Sequence, residues 1–244
     1  IRSSLIELFG FEKINNEYDG NCIFQYDKIT NKTIKLYLTN QDLIFSENID
    51  REINADIFIF ASKHRSRENT PSLAVHAIGN WGKADFGGQE RKLCPSSAVL
   101  LKNLFFELNE NAKLSNFEIT LEATHHGPYV EKPAVFCEIG STEKEWNDKE
   151  NGKIMAATII KALKNQNNYK IAVGIGGPHY CSNFNKAVLR TDIAISHICP
   201  KYHLDKLNEE LIKQSIQKTA EKVDFVLLDW KGLGKEKQRI LDLL

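Results

Sequence analysis

Two short runs hold three of the chain's seven histidines, each where a strand-like apolar segment ends: Ala123-Thr124-His125-His126-Gly127-Pro128 and Gly174-Ile175-Gly176-Gly177-Pro178-His179-Tyr180. Core strands seldom finish in imidazoles, so both runs read as walls of a catalytic crevice. On a continuing strand His125 and His126 would face opposite sides, but a turn opened by Gly127-Pro128 lets both converge. For an arbitrary adjacent pair the ordinary reading is one loop-orienting histidine beside an exposed one. The second histidine-bearing strand end, at His179, reverses that preference.

Gly174-Ile175-Gly176-Gly177 begins like a dinucleotide-binding loop, yet Pro178 and His179 stand where G-x-G-x-x-G needs a helix former and a third glycine. The backbone N–H groups of Gly176 and Gly177 are expected instead to face a ligand carbonyl, with His179 and Tyr180 aimed into the same space. A tight turn explains the glycines but not the His179-Tyr180 pair. Glu138 lies in the apolar run Val135-Phe136-Cys137-Glu138-Ile139 and needs a histidine, a metal ion or a basic side chain beside it. Functional and structural readings of that carboxylate weigh equally from this run alone. The stretch from Ser141 to Trp146 reads as a capping-box helix start, with Glu143 and Glu145 in its first turn. Trp146 then serves either the core or a lid.

Imidazoles with a carboxylate suit water activation, either by direct general-base catalysis or through a zinc ion that brings the pKa of bound water to about 7. Neither H-E-x-x-H nor G-x-S-x-G occurs. His179-x-Cys181 and His197-x-Cys199 read more simply as inert buried thiols than as ligand pairs. Lys63-His64-Arg65-Ser66-Arg67 is the best local candidate for phosphate contact, Arg65 in particular, although most charge runs are only solvated. Lys201, Lys206 and Lys231 extend that patch if the fold gathers them.

The elements that must position these residues alternate. Apolar runs at Asp56 to Ala61, Leu73 to Ile78, Phe117 to Ala123, Ala134 to Ile139, Lys170 to Ile175 and Asp224 to Leu228 read as strands. Helical patterns run from a Ser96 cap to about Asn109, from Lys149 to Asn165 and from Asp205 to Lys222. This predicts one α/β domain over residues 1–244, with a mixed, mostly parallel sheet flanked by helices. Alternation such as Ile34-Lys35-Leu36-Tyr37-Leu38 adds a small antiparallel excursion between Tyr18 and Phe45. The polar, glycine-rich segment from Gly79 to Pro95 is too long for an ordinary connection and reads as a functional loop. Ligands of such sheets bind beyond the carboxyl ends of the strands, where His76, His125, His126, Glu138, Ser141 and His179 all fall.

Composition narrows the partners. Lys+Arg and Asp+Glu are both 32, so no global field draws the chain to DNA or to membranes, and any nucleic-acid contact must be local. The five cysteines are scattered without a C-x-x-C pair, which fits a reducing cytoplasm. No apolar run reaches the roughly 18 residues of a membrane span, and no secretory leader pattern is visible. The chain starts at Ile1 inside a helical pattern from Ser3 to Phe9, so a preceding segment is expected.

Six runs in order carry a resemblance: Ser72 to Asn80, Gly87-Gly88, Ala123 to Pro128, Phe136 to Glu143, Gly174 to Tyr180 and Ser196 to Ile198. From about Ala61 to Gly232 the sequence resembles the archaeal and plant type of D-aminoacyl-tRNA deacylase, the type 2 D-tyrosyl-tRNA deacylase family. The resemblance implies a monomeric cytoplasmic hydrolase that cleaves the ester of D-aminoacyl-tRNA into free D-amino acid and tRNA. It implies a fold related to phosphorylases and peptidyl-tRNA hydrolases, and zinc, as two ions, for the cofactor. Within this reading His125 or His126 with Glu138 binds metal or activates water, and His179 is a second metal ligand or the acid. His76, Ser141, Gly176, Gly177, Tyr180 and Arg65 are substrate contacts. Two other readings stay open: a nucleoside phosphorylase or nucleotide-processing hydrolase, marked by phosphate-dependent turnover, and a non-catalytic RNA-binding module, marked by indifference to His126→Ala and His179→Ala.

Overall fold

Leu5, Phe11, Tyr26 and Ile29 cannot stay in water, and the chain buries them by folding a helix and a hairpin meander over one later helix. The structure, a computed structural model, describes residues 1–65, 69–113 and 115–244; Ser66 and Arg67 of the basic run lie outside the described residues. In chain order the elements are α1 (Arg2–Phe9), β1 (Glu12–Tyr18), β2 (Asn21–Ile29), β3 (Lys32–Leu36), α2 (Ile49–Glu52), β4 (Phe58–Arg65), β5 (Ser72–Ala77), α3 (Ala98–Asn111), β6 (Glu118–Leu121) and β7 (Ala134–Ser141). They continue with α4 (Glu143–Asn147), α5 (Lys149–Lys164), β8 (Lys170–Ile175), α6 (Ser182–Arg190), β9 (Ile193–Cys199), α7 (Glu209–Gln217), β10 (Phe225–Leu228) and α8 (Lys237–Leu243).

The expected α/β architecture is present, but the strands form three hydrogen-bonded sheets instead of one. The meander β1-β2-β3 is antiparallel and starts earlier than the alternation indicated. A second sheet has the order β4-β7-β5-β6, with β5 and β7 antiparallel and the outer pairs parallel. The third, β10-β8-β9, is wholly parallel. Helix α3 fills the space between the latter two through Leu101, Leu104, Phe105 and Leu108, which meet Val75 and Val135 on one side and Ala172 and Ile195 on the other. Its start is fixed by Ser97, whose side chain accepts from Leu100 N at 3.0 Å.

Two departures from the periodicity have local causes. The helix read over Asp205 to Lys222 is a 3-10 turn at Lys201–Lys206 and then α7, because Asn208 caps the latter by accepting from Leu211 N at 3.0 Å. Strand β9 escapes an apolar-run search because Ser196 and His197 interrupt it. Both are satisfied inside the protein, Ser196 by the Thr219 hydroxyl and His197 by Thr124 Oγ1 at 3.4 Å and Lys218 O at 3.3 Å.

The second and third sheets are stitched at the point where the site forms. Ala123 N donates to His179 O at 2.8 Å, and Thr124 N donates to Ile198 O at 3.0 Å. These bonds carry the segment after β6 onto the carboxyl ends of β8 and β9. The 79–95 segment has no long helix or strand and is tied down over the same place. Gly79 N donates to His126 O, Gly127 N donates to Phe86 O, both at 2.9 Å, and the buried Trp81 donates its indole N–H to Ile198 O at 3.1 Å.

Candidate active site

Strand alternation builds one face of the crevice. On the second sheet Phe60, Ser62 and His64 of β4 share a face with Phe136, Glu138 and Gly140 of β7 and with Ala74 and His76 of β5, as the pairings Ser62 to Glu138, His64 to Gly140, Ala74 to Glu138 and His76 to Phe136 require. The opposite face of β7, Val135, Cys137 and Ile139, belongs to the core around α3. Gly140 gives the His64 ring its place: a Cβ there would stand 3.2 Å from His64 Cδ2 and 2.7 Å from Ser72 Oγ. Phe136 stacks on the His76 ring, with centroids 5.4 Å apart, and supports it from below.

Glu122, one residue past β6, completes the carboxylate pair. It is buried, and its backbone N–H donates to Val75 O at 3.1 Å, which sets it beside the end of β5. Its Oε2 lies 3.4 Å from His179 Nε2 and 3.6 Å from His125 Nε2, and its Oε1 lies 3.9 Å from His64 Nε2. Glu138 Oε2 lies 3.3 Å from His64 Nδ1 and 3.5 Å from His76 Nε2. His126 takes a left-handed backbone, φ 47°, and the chain reversal there brings His125 and His126 to the same side. Their rings are 4.3 Å apart between centroids and stand 4.2 and 4.8 Å from His76, while His179 closes on His125 at 4.7 Å.

His125, His126, Glu138, His179 and His76 are therefore gathered in one crevice. Tyr180 sits at its edge, its ring 5.2 Å from that of His179 and its carbonyl taking Asn185 Nδ2 at 3.0 Å. Four expected contacts have other neighbours. Gly176 donates its N–H to Cys199 O at 2.8 Å, so it is no free donor for a carbonyl, and Gly177 takes a positive φ of 82° where a Cβ would stand 2.9 Å from Asp229 Oδ2, while a Cβ on Gly232 would stand 2.3 Å from Gly177 N. Ser141 is buried and donates to Thr70 O, a tie between strand ends. Arg65 points away from His64 on its strand and lies over the Trp146 ring at 5.5 Å, with Lys63 on the same ring at 5.4 Å. Trp146 itself donates to His64 O at 3.1 Å, so it braces the strand that carries His64.

Sequence reasoning missed Glu122 and His64. The test applied to Glu138, a carboxylate within an apolar run, applies equally to Leu121-Glu122-Ala123. His64 was concealed in a basic run, and only the register of β4 on β7 separates its face from that of Lys63 and Arg65.

Electrostatics divide the histidines. Burial pulls His64 and His76 down, but Glu138 and Glu122 outweigh it and hold both above the ordinary imidazole value. His125 falls well below that value, and His126 to about 4, because burial is followed by repulsion from His76 and other imidazoles. Burial would raise Glu122 and Glu138; the facing histidines keep both carboxyls below the usual range. His197 is also held to about 4 by burial, and His203 is lowered for the same first reason.

These shifts set the metal-free stability profile. Above pH 6.5 the folded chain keeps protons on His64 and His76 that the unfolded chain releases, so stability falls as pH rises through their raised values. Below pH 6.5 the unfolded chain protonates His125, His126, His197 and His203 while the folded chain does not, so stability falls with acidification, by about 1.4 kcal/mol per pH unit for each net proton. Urea midpoints measured in chelator between pH 4.5 and 8.5 are expected to peak near pH 6.5. A continuous rise to pH 8 would contradict this protonation scheme.

The donor set fits a cation. His76 Nε2, both Glu122 oxygens and Glu138 Oε2 are buried without a hydrogen-bond partner, a costly state for a protein interior. Nδ1 of His76, His125 and His126 lies against Ala77 O, Ala123 O and Gly127 O at 3.0, 2.8 and 2.6 Å. A carbonyl only accepts, so each Nδ1 carries the hydrogen and, in the neutral ring, each Nε2 offers a lone pair to the crevice, the arrangement of a metal-ligating histidine. Three groups have donor atoms within 4.8 Å of one another: His76 with His125 and His126, Glu122 with His125 and His179, and His64 with Glu122 and Glu138.

The sequence matches the family model described as D-aminoacyl-tRNA deacylase over residues 51–244. It is 40% identical over 249 residues to the D-aminoacyl-tRNA deacylase of Thermococcus kodakarensis, covering 98% of this chain and 89% of that protein. It is 37% identical over 222 residues to that of Methanocaldococcus jannaschii, covering 85% of each. Among solved structures, a conserved protein of unknown function superposes with a TM-score of 0.88 at 29% identity, over 99% of this chain and 85% of that one.

Proposed function

Because the chain belongs to the D-aminoacyl-tRNA deacylase family, we propose that the ester of D-aminoacyl-tRNA is hydrolysed in the crevice between Glu122 and Glu138, with residues 1–244 acting as one deacylase domain. The reaction releases tRNA and a free D-amino acid and so removes mischarged residues. The observation that carries the placement is the set of buried, partnerless donors His76 Nε2, Glu122 Oε1 and Oε2 and Glu138 Oε2.

Ester hydrolysis needs water deprotonated, the carbonyl oxygen stabilised and the leaving ribose oxygen protonated. His76, His125 and His126 would hold zinc, and His64 with the two carboxylates suits a second ion. Bound zinc supplies Lewis-acid polarisation and acidifies water. Glu138 keeps His76 and His64 oriented, at 3.5 and 3.3 Å. His179 is placed at the open side, its side chain 30% exposed against 0% for His76, and it moves protons at Nε2. The roof of Gly79 to Pro95 and the support of Phe136 exclude bulk water. A phosphate cradle at Gly176-Gly177, as a phosphorylase would need, is disfavoured by the internal use of the Gly176 N–H. No helix among the described residues is long and apolar enough to cross a membrane, and all five cysteines are free thiols.

Matched D- and L-aminoacyl-tRNA test the reading. The D ester is expected to be cleaved and the L ester spared, with loss of cleavage in chelator and recovery on adding zinc. Equal cleavage of both enantiomers, or of neither, would sink it. Chelator-insensitive D-selective cleavage would keep the reaction and remove zinc from the assignment.

A further inference from the structure

Two large aromatic rings stand exposed beside the crevice, Tyr202 at 51% and Trp230 at 52%, although the turns that carry them are anchored. Leu204, from the 3-10 turn at Lys201–Lys206, and Leu233, from the turn after β10, are buried in one cluster with Ile175 and Cys199. Both turns also close on one glycine. Lys201 N donates to Gly177 O at 2.8 Å, and a Cβ on Gly232 would stand 2.3 Å from Gly177 N. Two residues further on, Nδ1 of His179, at the open side of the crevice, lies 3.1 Å from the Tyr202 hydroxyl. Rings held out from anchored turns offer flat apolar faces to a flat apolar partner. Lysines flank them: Lys201 and Lys206 on the first turn, Lys231 and Lys237 on the second, with Lys237 Nζ 4.9 Å from the Trp230 ring centroid. Of the acidic groups in residues 201–206 and 229–237, Asp229 is buried on Asn183 and Gly232 N and Glu236 is paired with Arg239, which leaves Asp205. In a chain without net charge this is a local basic patch.

We propose that Tyr202 and Trp230 are stacking platforms for unpaired nucleotides at the 3′ end of the RNA, so that the enzyme grips its substrate by a single strand. The inference rests on the reading of the crevice as the deacylase site, since the ester sits on the terminal ribose of that strand. Tyr202, in contact with His179, takes the terminal base, and Trp230, on the neighbouring turn, takes a preceding one. Stacking uses the ring face and leaves the Tyr202 hydroxyl, which lies in the ring plane, on His179. Every base has a π-face, and the lysines follow the phosphates between successive bases. A duplex keeps its base faces inside its own stack and gains only the phosphate contacts.

Of the three tryptophans Trp81 is buried and Trp146 half-buried, so a fluorescence change on RNA binding reports Trp230. With the full chain, a short single-stranded RNA ending in C-C-A should quench that fluorescence, and a blunt duplex of the same length should not. Trp230→Ala should raise KM for D-aminoacyl-tRNA roughly 10- to 100-fold at unchanged kcat, and Trp230→Phe should restore most of the loss. Lys231→Glu, which leaves the ring in place, should weaken binding of the single strand and flatten its salt dependence. No quenching by the single strand, equal quenching by the duplex, or an unchanged KM in Trp230→Ala would overturn the proposal. Fluorescence that changes with protein concentration alone would assign this face to a second copy of the chain and would overturn it as well. Quenching by the single strand in a chain that cleaves no D ester would leave the stacking surface standing and remove the deacylase reading.

Discussion

Replacing Glu122 by glutamine is expected to lower hydrolysis of D-aminoacyl-tRNA by about 10³-fold, within the range for loss of a positioned acid–base group and equivalent to about 4 kcal/mol in the barrier. Glu122 is the hub of the crevice, facing His64, His125 and His179 through two oxygens that have no hydrogen-bond donor of their own. Glutamine keeps the shape and removes the charge. The same change removes a carboxylate that the facing histidines hold below its usual range, so the metal-free protein should also lose stability at neutral pH. Single-turnover hydrolysis and urea denaturation in chelator read the two effects separately. A folded variant with nearly full activity would show that Glu122 does not serve the reaction.

The second large effect is expected at a residue with no functional group. A Cβ on Gly127 would stand 2.2 Å from Gly88 N, 2.4 Å from Gly87 C and 2.6 Å from Ile44 O, all of it backbone. Gly87 cannot retreat, since it faces Ile44 O as well, and Gly127 N is bonded to Phe86 O. Gly127→Ala must therefore push the 79–95 segment off the turn that aims His125 and His126. Overpacking of this kind costs about 3 kcal/mol, and here it also displaces two proposed ligands, so kcat should fall by about 100-fold or more. Thermal unfolding together with zinc affinity measures both effects. A variant with wild-type stability and zinc affinity would mean that the segment is not the roof of the site.

Much of this site was legible in the residues. Histidines at two strand ends and a carboxylate within Val135 to Ile139 are chemically improbable as packing, and the structure does bring His125, His126, His179 and Glu138 together. The glycines were legible as necessary but not as to purpose. A positive φ or a close approach looks the same in sequence whether the approaching group is a ligand or another loop, and at Gly176-Gly177 it is the Asp229 to Gly232 turn. His64 was not legible as a site residue: it lies within a basic run and acquires its role only from strand register.

By itself the sequence determined the inventory: the strand and helix alternation, the two imidazole-bearing turns, the unpaired Glu138 and the family. Those follow from local chemistry, since periodicity and the cost of a buried charge are properties of a few neighbouring residues. Only the tertiary structure decided the division into three sheets, the pairing of Glu138 with Glu122 and the partner of each ring nitrogen. Each of these depends on which chain segments lie within about 3 to 4 Å of each other, and hydrogen bonds and charge interactions act over that distance in space, whatever the separation along the chain.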